Sequence, residues 1–186
     1  WPRKVIQLWI AQSDSPVQRL LTYDSPPENA ARATKVKAFS VDTWPSGMSV
    51  VGLYDDAYPP LLRQIPDPPL ILFVNGKLAA LERPALAVVG ARRCTPRGKL
   101  LAEKVALRLA EQDVCVVSGL AYGIDLAAHS GALAASAGAT VAVLGSGLSH
   151  IYPASHHLLA KTILRKAGAL ITEYPPATRA RPHPFP

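Results

Sequence analysis

In the second half of the chain, apolar residues come in short unbroken runs. Each run is followed by a longer stretch in which apolar positions recur with a helical period. The run "ALAVVG" (85–90) precedes a predicted helix over about 98–112, "VCVVS" (114–118) one over about 123–137, and "TVAVLG" (140–145) one over about 155–167. "ALITEY" (169–174) then reads as a further strand. Unbroken rather than alternating runs are expected of parallel strands covered by helices on both faces. Leu101, Val105 and Leu109, spaced by four, supply the predicted apolar face of the first helix. Ala127, Ala128, Gly131 and Ala132 leave so little side chain that the second helix is expected to lie close on the sheet. Repeated strand–helix units of this length predict a Rossmann-like α/β domain with a doubly wound, mostly parallel sheet. Its rhythm carries fewer strands than the roughly six usual for such sheets. The irregular "YPPATRARPHPFP" (174–186) then ends the chain, so the domain over 85–186 is expected to be incomplete at its C-terminal end.

The pattern is different upstream. Residues 1–49 show no clean period beyond a possible helical turn at "VQRLL" (17–21), and Pro26-Pro27 interrupts what precedes it. They read as a small, poorly specified N-terminal module. Residues 50–84 read as a lead-in packing on the main domain: a short strand from Val50, a turn at Asp55-Asp56, a proline-rich connection and a second strand over 70–74. Asn75-Gly76 at the end of that strand predicts a tight reversal. The chain opens on Trp1 rather than Met, so the natural N-terminus is expected to lie upstream.

Charge narrows the choice of partner. The net charge is +7 with a pI near 9.6, and 151–186 alone contributes +4 of it, from Lys161, Arg165, Lys166, Arg179 and Arg181 against Glu173. This favours polyanionic partners. The only cysteines, Cys94 and Cys115, suggest neither a disulfide framework nor a metal quartet, and they fit a reducing, cytoplasmic setting. No apolar run approaches the ~20 residues that span a bilayer, and no secretory signal opens the chain.

In open α/β sheets ligands bind beyond the C-terminal ends of the strands, at helix N-termini. Three loops meet that description: "GARRCTPRGK" (90–99), carrying Arg92, Arg93, Arg97 and Lys99 without an acid; "SGLAYGID" (118–125); and "GSGLSHIYP" (145–153). Together they predict an anion site. The dinucleotide fingerprint is absent, because Gly90 is followed by Ala91-Arg92 and Ser118 stands where a ribose-gripping acid belongs. A nucleophile elbow is absent too, since Val116 and Val117 precede Ser118. Asp125 and His129 share one helix, whereas triad members usually converge from separate elements. Asp125 is therefore expected to complement a helix dipole, and His129 to be a buried, hydrogen-bonded histidine. His150, His156 and His157 lack paired ligand spacing and read as surface residues, and no metal site, cofactor or catalytic group is expected.

The motifs "VVGARRCTPRG", "VVSGLAYGIDLAAHSGAL", "TVAVLGSGLSHIYP", "GALITEYPP" and "HPFP" occur in an order and spacing that resemble the DNA-processing protein A family (DprA, also called Smf). "YPPLLRQIPDPPLILFVNG" resembles the lead-in before that family's Rossmann domain. The resemblance, over about Val50–Pro186, implies a protein of natural transformation that binds and protects single-stranded DNA and helps load the RecA recombinase. It implies a homodimer at full length and no enzyme. Carried over position by position, the implied DNA-binding residues are Gly90, Arg92, Arg93, Ser118, Gly119, Tyr122, Gly123, Arg181 and Phe185. Tyr122 departs from the family's arginine, and is expected to stack on a base where an arginine would pair a phosphate. The chain also stops before the family's Arg-Asn-Arg signature. The alternative is an enzyme on a related Rossmann scaffold, a nucleoside-monophosphate phosphoribohydrolase, whose Pro-Gly-Gly-x-Gly-Thr loop is missing here.

Overall fold

The computed structural model describes residues 46–180, which divide between two units: 50–72, and 46–49 together with 73–180. The N-terminal module up to residue 45, Arg181 and Phe185 lie outside the described residues.

In the first unit the chain leaves strand β1 (Met48–Gly52) through a turn closed by Asp55, whose carboxylate accepts the Gly52 amide at 2.7 Å. The short helix α1 (Pro60–Arg63) starts on a proline, whose missing N–H costs nothing at that position. Tyr58 is fully buried, and its hydroxyl donates to the Pro69 carbonyl at 2.8 Å. The Arg63 guanidinium lies 5.8 Å from the centre of that ring and donates to the Asp55 carbonyl.

The second unit carries the predicted rhythm. After β2 (Ile71–Gly76) come β3 (Ala85–Ala87), α2 (Pro96–Glu111), β4 (Cys115–Ser118), α3 (Ile124–Ala134), β5 (Thr140–Val143), α4 (His157–Arg165) and β6 (Ala169–Thr172). The sheet is six-stranded, in the order β1-β2-β6-β5-β4-β3. β3, β4, β5 and β6 are parallel and adjacent in chain order, while β2 joins β6 antiparallel, pairing Phe73 with Thr172. Each parallel crossover steps the same way, as in one half of a doubly wound sheet, and the right-handed rule then sets α2, α3 and α4 along one face.

Three details differ from the sequence expectation, the first being that the helices after the parallel strands follow one face and not both. Asn75-Gly76 does not reverse the chain: both residues stay in the ladder, opposite Leu170 and Ala169. Gly76 is needed for closeness, since at φ +109 a Cβ would meet the Gly168 carbonyl and the Ala169 Cα. The buried face of α2 is also rotated by one residue. Ala102, Ala106 and Ala110 are buried, whereas Leu101 is 62% and Val105 41% exposed, and Leu109 packs only at the margin. The cause lies in α3. A Cβ on Gly131 would run into the Glu103 carbonyl of α2, so the helices are in backbone contact and only alanines fit between them. Ala106, Ala110, Val116, Ala128, Ala132 and Ala135 form the resulting core.

Candidate nucleic-acid interface

Three strand–helix connections leave the C-terminal ends of adjacent parallel strands, and they differ in what they offer to an anion. The β3–α2 loop is open. Arg92, Arg93, Arg97 and Lys99 are all exposed. Thr95 caps the helix by accepting the Gly98 amide at 3.1 Å, and Pro96 follows as the first helical residue. The positive end of the helix dipole adds to the four side-chain charges.

The β4–α3 turn is closed by its own acid. One Asp125 oxygen accepts the amides of Gly119 at 3.1 Å and Ala121 at 3.4 Å. Those donors are spent inside the turn instead of facing a phosphate. Ser118 is buried, and its hydroxyl donates to the Val88 carbonyl at 2.7 Å, tying β4 to the chain leaving β3. Leu120 takes a left-handed conformation, φ +59, with its side chain fully buried. Gly123, at φ +78, presses on the carbonyls of Ala91 and Arg92, and the Ile124 amide bonds Ala91 at 3.3 Å. From the other side, a Cβ on Gly90 would meet Ile124 at 2.8 Å. Gly90 and Gly123 thus seat the two loops against each other.

The β5–α4 loop is closed from outside. Gly147 donates to the Thr178 carbonyl at 2.8 Å and Ser149 to the Pro176 carbonyl at 3.0 Å, so the segment after β6 covers these amides. The buried Ser146 hydroxyl bonds the His150 carbonyl within the loop. Of the three predicted anion cradles, the first presents an exposed cationic surface among the described residues.

The histidines also divide. His157 is exposed and His150 partly so, but His156 is buried, contrary to its reading as a surface residue. It donates from Nδ1 to the Leu120 carbonyl at 2.8 Å, so its ring fills the space behind the β4–α3 turn. Tyr122 covers that ring edge to face, with centroids 5.0 Å apart, and its hydroxyl bonds Ser155 at 3.2 Å. His129 is fully buried. The Thr140 hydroxyl has one proton, which goes to the Val116 carbonyl at 2.6 Å, so it accepts from His129 Nδ1 at 2.8 Å. That fixes the tautomer and leaves Nε2 without a partner among the described residues, so they satisfy only one side of this histidine. Burial, helped by the nearby His156, lowers its pKa from 6.5 to about 4. Ser118, Asp125 and His129 therefore have three separate sets of partners. Burial pushes the Cys115 thiol up to about 11, against the pull of Arg83. Among the described residues, no cluster of His, Cys, Asp or Glu could hold a metal, and no helix is long and apolar enough to cross a membrane.

Sequence reasoning did not single out Ser155 and His156 as partners of Tyr122, because they come from a different crossover. Nor did it foresee Asp125 as the acceptor of the turn's amides. The only available signal was an acid just past a glycine turn.

Comparison with known proteins decides the family. The model for DNA recombination-mediator protein A matches residues 49–186. The chain belongs to this family. It is 40% identical over 134 residues to the DNA processing protein DprA of Streptococcus pneumoniae, a match covering 72% of this chain and 46% of that protein. It is 44% identical over 118 residues to the protein Smf of Escherichia coli, covering 63% and 31%. The chain thus spans less than half the length of these DprA and Smf relatives. Among solved structures, the S. pneumoniae DprA superposes with a TM-score of 0.66 at 37% identity, over 75% of this chain and 47% of that one. DNA processing protein A from Helicobacter pylori, solved for its unique single-stranded DNA binding mode, superposes with a TM-score of 0.61 at 28% identity, over 73% and 59%.

Proposed function

We propose that this chain is the DNA-binding part of a recombination mediator of natural transformation. In this reading it holds incoming single-stranded DNA along the C-terminal edge of β3 and β4, and acts in the cytoplasm. The observation that carries the reading is the β3–α2 loop with the first turn of α2, which together hold four exposed cations and no acid and lie where open α/β sheets bind ligands. Family membership supports it, as does a structural relative that binds single-stranded DNA. The loop's guanidinium groups pair phosphates, and Tyr122 meets a base. Loading of a RecA-type recombinase and homodimer formation belong to the full-length protein. The role is one of binding rather than catalysis, consistent with the separate engagement of Ser118, Asp125 and His129.

Fluorescence anisotropy with a labelled single strand tests this. Affinity falls steeply with salt, with a logarithmic slope of about −0.7 for each phosphate neutralised, and duplex DNA binds more weakly. Arg92→Ala, in a variant that melts like the parent, loses roughly tenfold to a hundredfold in affinity, as expected for a charge-assisted contact of about 1.5–3 kcal/mol. A flat salt response removes the electrostatic basis of the proposal. Hydrolysis of a nucleotide or ester by the parent, abolished in Ser118→Ala, replaces it with an enzyme.

A further inference from the structure

The three crossover helices differ in how their outer faces are charged. On α2 the signs are mixed: Lys104 and Arg108 stand among Glu103 and Glu111, and Arg108 bonds Glu111 at 3.0 Å. α3 has one acid, Asp125, which is buried and engaged in the β4–α3 turn, and no Lys or Arg. α4 has cations and no acid. The chain in fact holds no Asp or Glu at all from Leu126 to Thr172, a stretch that includes Lys161, Arg165 and Lys166.

These cations have different uses. The Lys166 ammonium donates to the Leu133 carbonyl at 2.7 Å and so closes the last turn of α3, a structural contact. Lys161 and Arg165 are exposed, and neither joins an ion pair among the described residues. Arg165 bonds the neutral Thr162 hydroxyl at 3.2 Å. His157, Lys161 and Arg165 follow one another at four-residue spacing, which sets them in one exposed row away from the buried Ala160 and Ile163. Complementing the helix dipole accounts for Arg165 in the last turn, but not for Lys161 a turn earlier. Two cations at this spacing repel, and a helix face that serves solubility alone mixes its signs, as α2 does. A row of one sign presents its field to a polyanion. The row also begins beside the proposed DNA edge, since His157 follows His156, which is bonded to the Leu120 carbonyl of the β4–α3 turn. From there it runs down the helix, away from the C-terminal ends of the strands.

We propose that the outer face of α4 is a second polyanion-binding surface, a track on which a longer single strand leaves the sheet edge and lays its sugar–phosphate chain against Lys161 and Arg165. The inference rests on the DNA-binding reading above and adds the route of the strand beyond that edge. Successive members of the row lie about 6 Å apart along the helix, a step comparable with that between neighbouring phosphates of an extended strand. No base is read on this face. Its contacts are those of charge alone, so the track sets how affinity grows with strand length and not which sequence binds.

The test is a salt titration of the intact chain against two labelled thymidine strands, one of about 6 nucleotides and one of about 15, lengths that a single binding domain covers. Binding of one chain per strand is established first. For the parent, the logarithmic salt slope is steeper with the longer strand by about 1.4, two further phosphates at about 0.7 each. Lys161→Gln combined with Arg165→Gln removes that increment and lowers affinity for the longer strand by roughly three- to thirtyfold, leaving the short strand at the parent's affinity. Lys161→Gln alone, at a side chain with no hydrogen bond among the described residues, removes about half of the increment. Lys104→Gln, an exposed neutralisation on α2 outside the row, changes neither slope. An increment that survives the double variant overturns the track, as do equal slopes for both strands in the parent. A loss in Lys104→Gln as large as in Lys161→Gln also overturns it, because net charge then explains the effect. A parent that binds neither strand overturns the DNA reading itself, and this inference with it.

Discussion

The β3–α2 loop and the β4–α3 turn are built from the same grammar: a parallel strand, a glycine-bearing bend and a helix N-terminus. One remains a cationic surface, and the other is sealed. The difference is a single carboxylate. Asp125, one residue into α3, folds back onto Gly119 and Ala121 and supplies internally the negative charge that the turn would otherwise attract. The β3–α2 loop has no acid, and its capping group is the neutral Thr95 hydroxyl, so its positive field is directed outward. A glycine-rich turn at a helix N-terminus is therefore an anion site only after its local acceptors are counted. Here the sealed turn keeps two of its donors inside, and the open connection carries the charge.

The two loops depend on each other most at Gly123. Replacing it with alanine adds a Cβ against the Ala91 and Arg92 carbonyls at a positive φ. Strain and overpacking together cost about 2–4 kcal/mol, so Gly123→Ala lowers the chemical-denaturation midpoint and disturbs both loops at once. A variant as stable as the parent means that they are not seated together. Asp125→Asn acts on the sealed turn alone. It weakens two charge-assisted bonds at a buried site, a loss of about 1–3 kcal/mol. On the proposed reading DNA affinity does not fall, because these two amides face the carboxylate and not a phosphate. Loss of affinity in a folded Asp125→Asn protein places phosphate contacts in this turn and erases the contrast.

The smallest effect is one of pH and belongs to the helix behind the sealed turn. His129 binds a proton less readily in the folded protein, with a pKa of about 4, than in the unfolded chain at 6.5. Its contribution is intact above pH 6.5 and is lost as pH falls toward 4, because the unfolded state takes up the proton first. Stability drops by about 1 kcal/mol between pH 7.5 and 5.5 from this residue. Thermal melts of the parent and of His129→Gln at those two values measure it: the parent loses more on acidification. Equal losses remove His129 as the cause.

Much of the architecture was legible because burial on a sheet leaves continuous apolar runs, and α2, β4, α3, β5 and β6 fall where those runs and their intervening periods put them. What failed required a neighbour. The face of α2 turned on Gly131 of another helix, and no periodicity within α2 distinguishes a leucine stripe from the alanine stripe beside it. The β5–α4 loop reads as an anion cradle until Pro176 and Thr178, some thirty positions away, occupy its amides. His156 reads as a surface residue until Leu120 and Tyr122 close over it. The charge of the β3–α2 loop was legible because exposed cations need no partner to be recognised.

The antiparallel pairing of β2 with β6 has a consequence for how this sheet is made. β3 to β6 lie side by side in the order in which they are synthesised, so each strand finds its partner soon after it emerges. β2 is made before all of them, yet one of its two neighbours in the sheet is the last. Until β6 arrives, β2 has only β1 beside it, and bringing Phe73 to Thr172 closes a loop whose entropy alone costs about 4 kcal/mol in an unstructured chain. The parallel layers must therefore form first and shorten that distance, and β2 waits with one edge open for the last strand. A ribosome-stalled nascent chain ending before Ala169 therefore carries β2 with the edge that β6 would cover left open.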